Sequence, residues 1–343
     1  MTSMRTLAII ALATIAAPAS AASAQTSPPD TCAGYSGLPG DHAGKARSGM
    51  AWIEGGSFTM GSDEHHPEER APHEVTLEGF WIDLHEVTNA QFARFVAATG
   101  YRTLAERGLD PKEYPGMPPE LLVPGSMVFF VPEQLTNMAD VRQWWRYVPG
   151  ADWRHPAGPG SSIEGKHDHP VVHVAYEDAL AYARWAGRRL PTEAEWEFAA
   201  RGGLEGAAYS WGDSYDSVEG WKANSWQGPF PAKDEGLDGH HGTAPVGCFG
   251  ANGYGLLDMA GNVWEWTADW YAPGHSAAPA TDPSGPGVIQ AAAASPDRLP
   301  RRVIKGGSWL CAPNFCARYR PAARQPMDAD LGASHIGFRT VAR

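Results

Sequence analysis

Glycine and proline interrupt this 343-residue chain so often, 39 and 29 times, that long regular helices and strands have little room to form. Such a chain folds as short elements joined by turns and loops. Its 14 tryptophans supply the large apolar surfaces needed to stitch those pieces together. The expectation is sparse regular secondary structure, and the length is compatible with one large domain.

The stretch richest in chemistry runs Lys305-Gly-Gly-Ser-Trp-Leu-Cys-Ala-Pro-Asn-Phe-Cys-Ala-Arg-Tyr-Arg320. It holds Cys311 and Cys316, two of the 4 cysteines. The residues between them offer no charged or imidazole ligand, and Pro313 bends the segment so that the sulfurs can meet. Spacing leaves three readings open: a structural or redox disulfide, a catalytic thiol pair or copper site, and unpaired thiols. Two thiolates without a third donor suit soft Cu(I) better than Zn(II), which takes a closed tetrahedron of four ligands.

A formal net charge of -12 leaves no basic footprint for nucleic acid. At the N-terminus, Arg5 precedes an apolar run over residues 7–17, followed by Ala19-Ser20-Ala21 and Ala22-Ser23-Ala24 as cleavage sites. That is the layout of a secretory signal peptide over residues 1–24, too short to span a bilayer. Residues 25–48, rich in Pro, Gly and Ser, read as a flexible linker, and Asp30-Thr31 before Cys32 does not match a lipid-anchor signal. No later stretch reaches the length of a membrane span. The expectation is an exported protein, periplasmic or secreted, whose thiols meet an oxidising compartment where Cys32 and Cys248 could pair.

A short strand and a tight turn are expected over 50–62, and 75–84 is read as one strand. Thr88 and Gln91 form a capping box ahead of a helix ending at Gly100. A second helix is expected over 177–186, and a third behind Pro191, with Thr192 and Glu195 as its capping box and Gly202-Gly203 as its stop. The cluster from Asp63 to Arg70, with His65 and His66, reads as a solvated loop rather than a metal tract. Residues 109–143 read as a surface excursion with one strand, and 273–300 as a mobile loop. Nothing repeats internally, and one domain is expected over 49–343.

Several blocks together resemble the formylglycine-generating enzyme, or sulfatase-modifying factor, family. They are Gly56-Ser-Phe-Thr-Met-Gly61, Glu86-Val-Thr-Asn89, Trp153-Arg-His-Pro156, His169-Pro-Val-Val-His-Val174 and Arg189-Leu-Pro-Thr-Glu-Ala-Glu-Trp-Glu197. Further on come Asn252-Gly-Tyr-Gly-Leu256, Gly261-Asn-Val-Trp-Glu-Trp266, Gly306-Gly-Ser308 and Gly337-Phe-Arg339. Sulfoxide synthases and scaffold proteins share several of these blocks, so the fold follows more directly than the activity. The cysteine pair after Gly-Gly-Ser discriminates, because relatives without the activity usually lack it. The resemblance implies an α+β, loop-rich single domain related to the C-type lectin fold.

It also implies a chemistry. An unfolded sulfatase segment bearing Cys-X-Pro-X-Arg would be the substrate, its cysteine oxidised by O2 to Cα-formylglycine with Cu(I) held by Cys311 and Cys316. Ser308 would orient oxygen or water, or else serve only as a turn serine; Trp264 and Trp309 would wall the site, or else pack the core. Substrate arginine calls for a carboxylate, which the resemblance places at Glu86, with Asp110 or the position of Gly125 as the second. Asn224, Ser225, Asp238 and His240 match one calcium site of the family, with Ser225 and His240 acting through carbonyls; ordinary turn residues are the alternative. Asp258, Gly261, Val263 and Glu265 match a second, where Asp258 replaces a commoner amide and adds charge. Ala183 and Pro321 stand where animal members carry structural cysteines. A monomer is expected. The competing function is a non-catalytic exported binding or scaffold module with Cys311 and Cys316 as a disulfide; a sulfoxide synthase is disfavoured because no upstream helical bundle is present.

Overall fold

The computed structural model describes residues 47–215 and 220–343, so the expected signal peptide, most of the expected linker and Cys32 lie outside the described residues. In chain order the elements are β1 (Met50–Ile53), β2 (Gly56–Met60), β3 (His73–Leu77), β4 (Phe80–Asp83), α1 (Asn89–Thr99), α2 (Leu104–Arg107), β5 (Gly125–Phe129) and β6 (Trp145–Pro149). There follow α3 (Tyr176–Trp185), α4 (Glu193–Arg201), β7 (Trp264–Trp270), β8 (Ala280–Thr281), α5 (Val288–Ala294), β9 (Arg302–Lys305), β10 (Arg324–Met327), β11 (Ile336–Gly337) and β12 (Val341–Ala342). The strands form four small sheets, ordered β1-β4-β12, β10-β9-β7-β11, β2-β3-β8 and β5-β6. Only β11 on β7 and β8 on β3 run parallel among these strand pairs. This is the loop-rich α+β domain that the punctuation of the sequence implies. No helix among the described residues is long and apolar enough to cross a membrane.

The three expected helices are present. Thr88 and Gln91 cap α1 reciprocally, Thr192 and Glu195 do the same for α4, and Gly100 and Gly202 end these helices in left-handed conformation. Two expectations need correction, and one element is additional. Residues 75–84 are two strands in different sheets, parted at Glu78-Gly79, where a Cβ on Gly79 would lie 2.4 Å from the Trp52 ring. The 273–300 segment holds α5, whose Ala291 is buried. Thr103 and Glu106 form a further capping box, which opens α2.

Aromatic side chains fill the core. Phe92, Phe95, Tyr182, Trp153 and Phe338 pack edge-to-face or stacked with ring centroids 5.3–6.4 Å apart. A second cluster joins Phe80, Ile82, Trp196 and Val341 between the first sheet and α4. All nine residues of α4 are buried, although four of them are charged. Each charge has a partner. Glu193 takes Arg324 at 2.7 and 2.8 Å, Glu195 takes Arg189 at 2.5 and 2.6 Å, and Glu197 takes Lys305 at 3.0 Å and Arg201 at 2.7 Å. Burial alone would raise Glu197, but Lys305 and Arg201 outweigh it and hold the carboxyl at about 2.

From β7, Asp269 accepts the Glu193 N–H at 2.8 Å and so caps α4. Burial, and next the Glu193 carboxylate, push Asp269 up to about 7. The folded protein therefore binds a proton there that the unfolded chain, with Asp near ~3.9, has already released. This contribution is complete below pH ~4 and is lost as pH rises to about 7. Asp269→Asn is expected to flatten the fall in thermal midpoint over that window and to exceed the parent midpoint at pH 8, as calorimetry across a pH series would show.

Candidate functional site

The site is built on the end of β9. Lys305 is locked to α4, and the next residue, Gly306, passes so close to Trp196 that a Cβ would lie 3.1 Å from the indole. The chain then turns through Ser308, which is fully buried; its Oγ accepts the Leu310 N–H at 3.3 Å and its carbonyl accepts the Cys311 N–H at 2.9 Å. Those bonds give Ser308 a turn-making role.

Cys311 and Cys316 are joined as a disulfide, with Cα atoms 5.0 Å apart. Between them Ala312 and Phe315 exchange backbone hydrogen bonds at 2.8 and 3.0 Å, closing a tight loop whose exposed tip is Pro313-Asn314. Cys311 is 1% exposed whereas Cys316 is half-buried, so Cys316 is the approachable sulfur. Cys248 is buried and disulfide-bonded; its expected partner, Cys32, lies outside the described residues.

An aromatic wall backs the loop. Phe315 stacks on Phe230 with centroids 4.2 Å apart and planes 5° from parallel, and meets Trp144 edge-on. Phe129 meets Trp226 and Trp309 edge-on. Phe129 lies on β5 and Trp144 just before β6, so the 109–143 segment is more than a surface excursion: its hairpin builds part of the wall. Trp264 is 2% exposed and belongs to the core cluster against which Cys316 packs, which includes Cys311.

The acidic residues fall elsewhere. Asp110 is exposed and its carboxylate accepts the Lys112 N–H at 2.9 Å; no described contact joins it to the cysteine loop. Glu86, expected to meet a substrate guanidinium, is completely buried with both oxygens unpaired. A group sealed from solvent does not receive an incoming arginine. Burial, then the Asp258 charge, raise its pKa well above the ordinary carboxylate range.

Asp258 is raised to about 6 by burial; its Oδ2 accepts the Gly247 N–H at 2.6 Å while Oδ1 is buried and unpaired. Glu265, by contrast, is committed: Arg339 binds it twice at 2.7 Å and the Trp196 indole donates to it at 2.8 Å. Gly261 and Val263 are buried in the strand entry beside them. The oxygens left free thus belong to Glu86 and Asp258 rather than Glu265, and that donor set fits a hard divalent cation.

The first expected oxygen cluster also assembles. The Asp238 carboxylate accepts N–H groups of Ser225 at 3.1 Å and His240 at 3.0 Å, and burial raises its pKa. The Gln227 amide lies against both the Ser225 carbonyl and Asp238, marking the point where those two oxygens converge. Asn224 points its amide at the Gly242 carbonyl and Asn262. Gln227 gave no signal in the sequence, because only the fold carries it to Asp238. Among the described residues no three His, Cys, Asp or Glu side chains converge as a metal centre, so carbonyl and amide oxygens would complete any cation site.

The 63–70 cluster is only partly solvated. Glu69 is fully buried against Arg320, and His66 reaches the Cys316 carbonyl.

A model of the sulfatase-modifying factor enzyme 1-like domain matches residues 36–343. A Mycobacterium tuberculosis protein named formylglycine-generating enzyme is 54% identical over 290 residues, covering 84% of this chain and 96% of its own. One of the same name from Thermomonospora curvata is 48% identical over 307 residues, covering 86% and 93%. Among solved structures, PvdO from Pseudomonas aeruginosa superposes with a TM-score of 0.56 at 25% identity, covering 85% of this chain and 93% of that one.

The unequal exposure of the two sulfurs has a chemical signature. After reduction, a brief pulse of iodoacetamide is expected to label Cys316 ~10-fold faster than Cys311, because reactivity follows thiolate access. Fragment-ion mass spectrometry of the peptide containing both would read it, and equal labelling would contradict the buried placement of Cys311.

Proposed function

This chain belongs to the sulfatase-modifying factor family, and on that premise we propose that it converts the cysteine of a sulfatase's Cys-X-Pro-X-Arg segment to Cα-formylglycine. The observation that carries the proposal is the adjacency of Cys311 and Cys316 beside a water-excluding aromatic wall, with one sulfur reachable. In this reading the oxidant is O2 and the enzyme is an oxidoreductase acting on an unfolded chain in the compartment to which it is exported. The protein acts as a monomer.

The donor set suits a cuprous ion. Two-electron reduction of the disulfide frees two soft sulfur ligands with no hard donor between them, the preference of Cu(I). When bound, the ion would supply a thiophilic position for the substrate sulfur and a redox-active centre at which O2 is activated. The protein does the rest. Cys316, on the open side, sets where the substrate thiol arrives, and Cys311 anchors from the core. Ser308 keeps the Gly306-Gly307-Ser308 turn in register with Cys311, and Phe315, Phe230 and Trp309 keep bulk water from the reacting carbon. With Glu86 buried, the exposed Asp110 is the carboxylate that remains, of those expected, to meet the substrate arginine.

Calcium is assigned a structural role at two places: Ser225, Asp238 and His240 with Asn224, and Asp258 with Glu86 beside Gly261, Val263 and Glu265. The bonded state of the cysteines favours one rival, a non-catalytic exported module in which the disulfide is permanent.

Two measurements decide. Reduced, Cu(I)-loaded protein given O2 and a Cys-X-Pro-X-Arg peptide is expected to yield a product that has lost sulfur and gained a carbonyl, seen by mass spectrometry. Cys311→Ser or Cys316→Ser should lower the rate by ~100-fold or more, beyond the ~10–100-fold typical of outer-shell partners. No product with copper bound would favour the rival. Separately, millimolar Ca2+ should raise the thermal midpoint over an EGTA control, and Glu86→Gln should halve or abolish that rise; an unchanged rise would place the ion elsewhere.

A further inference from the structure

Two consecutive non-glycine residues of the cysteine loop, Cys316 at φ 73° and Ala317 at φ 48°, adopt the left-handed conformation. Residues with a Cβ rarely do so unless their surroundings hold them there. The holders come from a segment 250 residues away in sequence. His66 Nε2–H donates to the Cys316 carbonyl at 3.1 Å, and Arg318 Nη1 donates to the same oxygen at 3.3 Å. Arg318 is itself pinned by Glu68 at 2.5 and 3.1 Å. The buried Glu69 grips Arg320 at 2.5 and 2.8 Å, and Arg320 Nε donates to the Ala317 carbonyl at 3.2 Å. Arg324 closes the set by donating to the Glu68 carbonyl at 3.3 Å.

Both carbonyls of the left-handed pair are therefore held by side chains belonging to, or gripped by, residues 66–69. The disulfide does not need such help once formed. Free thiols do, because a relaxed turn would swing Cys316 away from Cys311.

We propose that residues 66–69 form a clasp that positions Cys316, with His66 and Glu68 holding the Cys316-Ala317 turn so that the reduced sulfurs stay side by side. The bearing on turnover rests on the proposed function, whereas the pairing of the two thiols does not.

The test equilibrates the full-length protein with dithiothreitol, which gives up two electrons and two protons to the Cys311–Cys316 bond and becomes its cyclic disulfide. Trapped thiols are counted by mass spectrometry. His66→Ala and Glu68→Ala are each expected to shift the equilibrium about tenfold toward the dithiol, because the effective concentration of one thiol at the other falls. His66→Gln keeps an N–H donor and should stay within about twofold of the parent. On Cu(I)-loaded protein the alanine variants should lower kcat with KM little changed. Equilibrium constants for the alanine variants equal to the parent's, or a glutamine variant shifted as far as alanine, would overturn the clasp. If the parent converts no peptide, the proposed function falls while the dithiol equilibrium still decides the clasp.

Discussion

A lysine ammonium with no exposed surface, Lys305, sits 3.0 Å from Glu197 and 3.7 Å from Glu193. Charges removed from water cost several kcal/mol each unless they are met by partners in good geometry. That condition leaves few ways to assemble this part of the molecule: α4 must present two carboxylates, β9 must deliver the ammonium, and β10 must deliver Arg324 to the second carboxylate. Once those charges meet, Trp196 lies on Gly306 and the direction of the chain leaving β9 is set. The cysteine loop begins five residues after Gly306, so its placement follows from charges buried under it.

A division of donor types runs through the structure. The Cys311 and Cys316 sulfurs sit in a loop walled by rings, while the turns at 224–265 carry buried carboxylates with few cationic neighbours. Soft and hard cations would therefore find separate homes without competing. The two regions touch through the backbone: Trp226 N–H donates to the Cys311 carbonyl at 3.1 Å, and Trp309 N–H to the Asn262 carbonyl at 3.0 Å. Ordering the oxygen-rich turns thus also orders the wall.

Local signals were readable from the sequence because they act over three or four residues. Thr88 with Gln91 and Thr192 with Glu195 mark helix starts on their own, and Pro313 between two cysteines shows that the sulfurs can meet without saying whether they bond. What escaped depends on distant partners. Nothing around Glu86 says whether it faces water or Asp258, since its neighbours along the chain, Val87 and Thr88, suit either. The two-strand break at Gly79 turns on a tryptophan 27 positions upstream, and the hairpin that carries Phe129 into the wall comes from a stretch whose prolines suggest only surface. Likewise, the acidic 63–70 cluster looked solvated because the arginines that bury it lie beyond Cys316.

The last paired residues of the domain fill places that wait for them. Ile336–Gly337 lies alongside β7, Arg339 neutralises Glu265, and Val341–Ala342 completes the sheet begun by β1 and β4. A growing polypeptide lacking those residues carries an uncompensated glutamate and two unfinished sheet edges. A chain cut short of Ile336 is therefore left open along two sheets and suited to proteolysis rather than to partial activity.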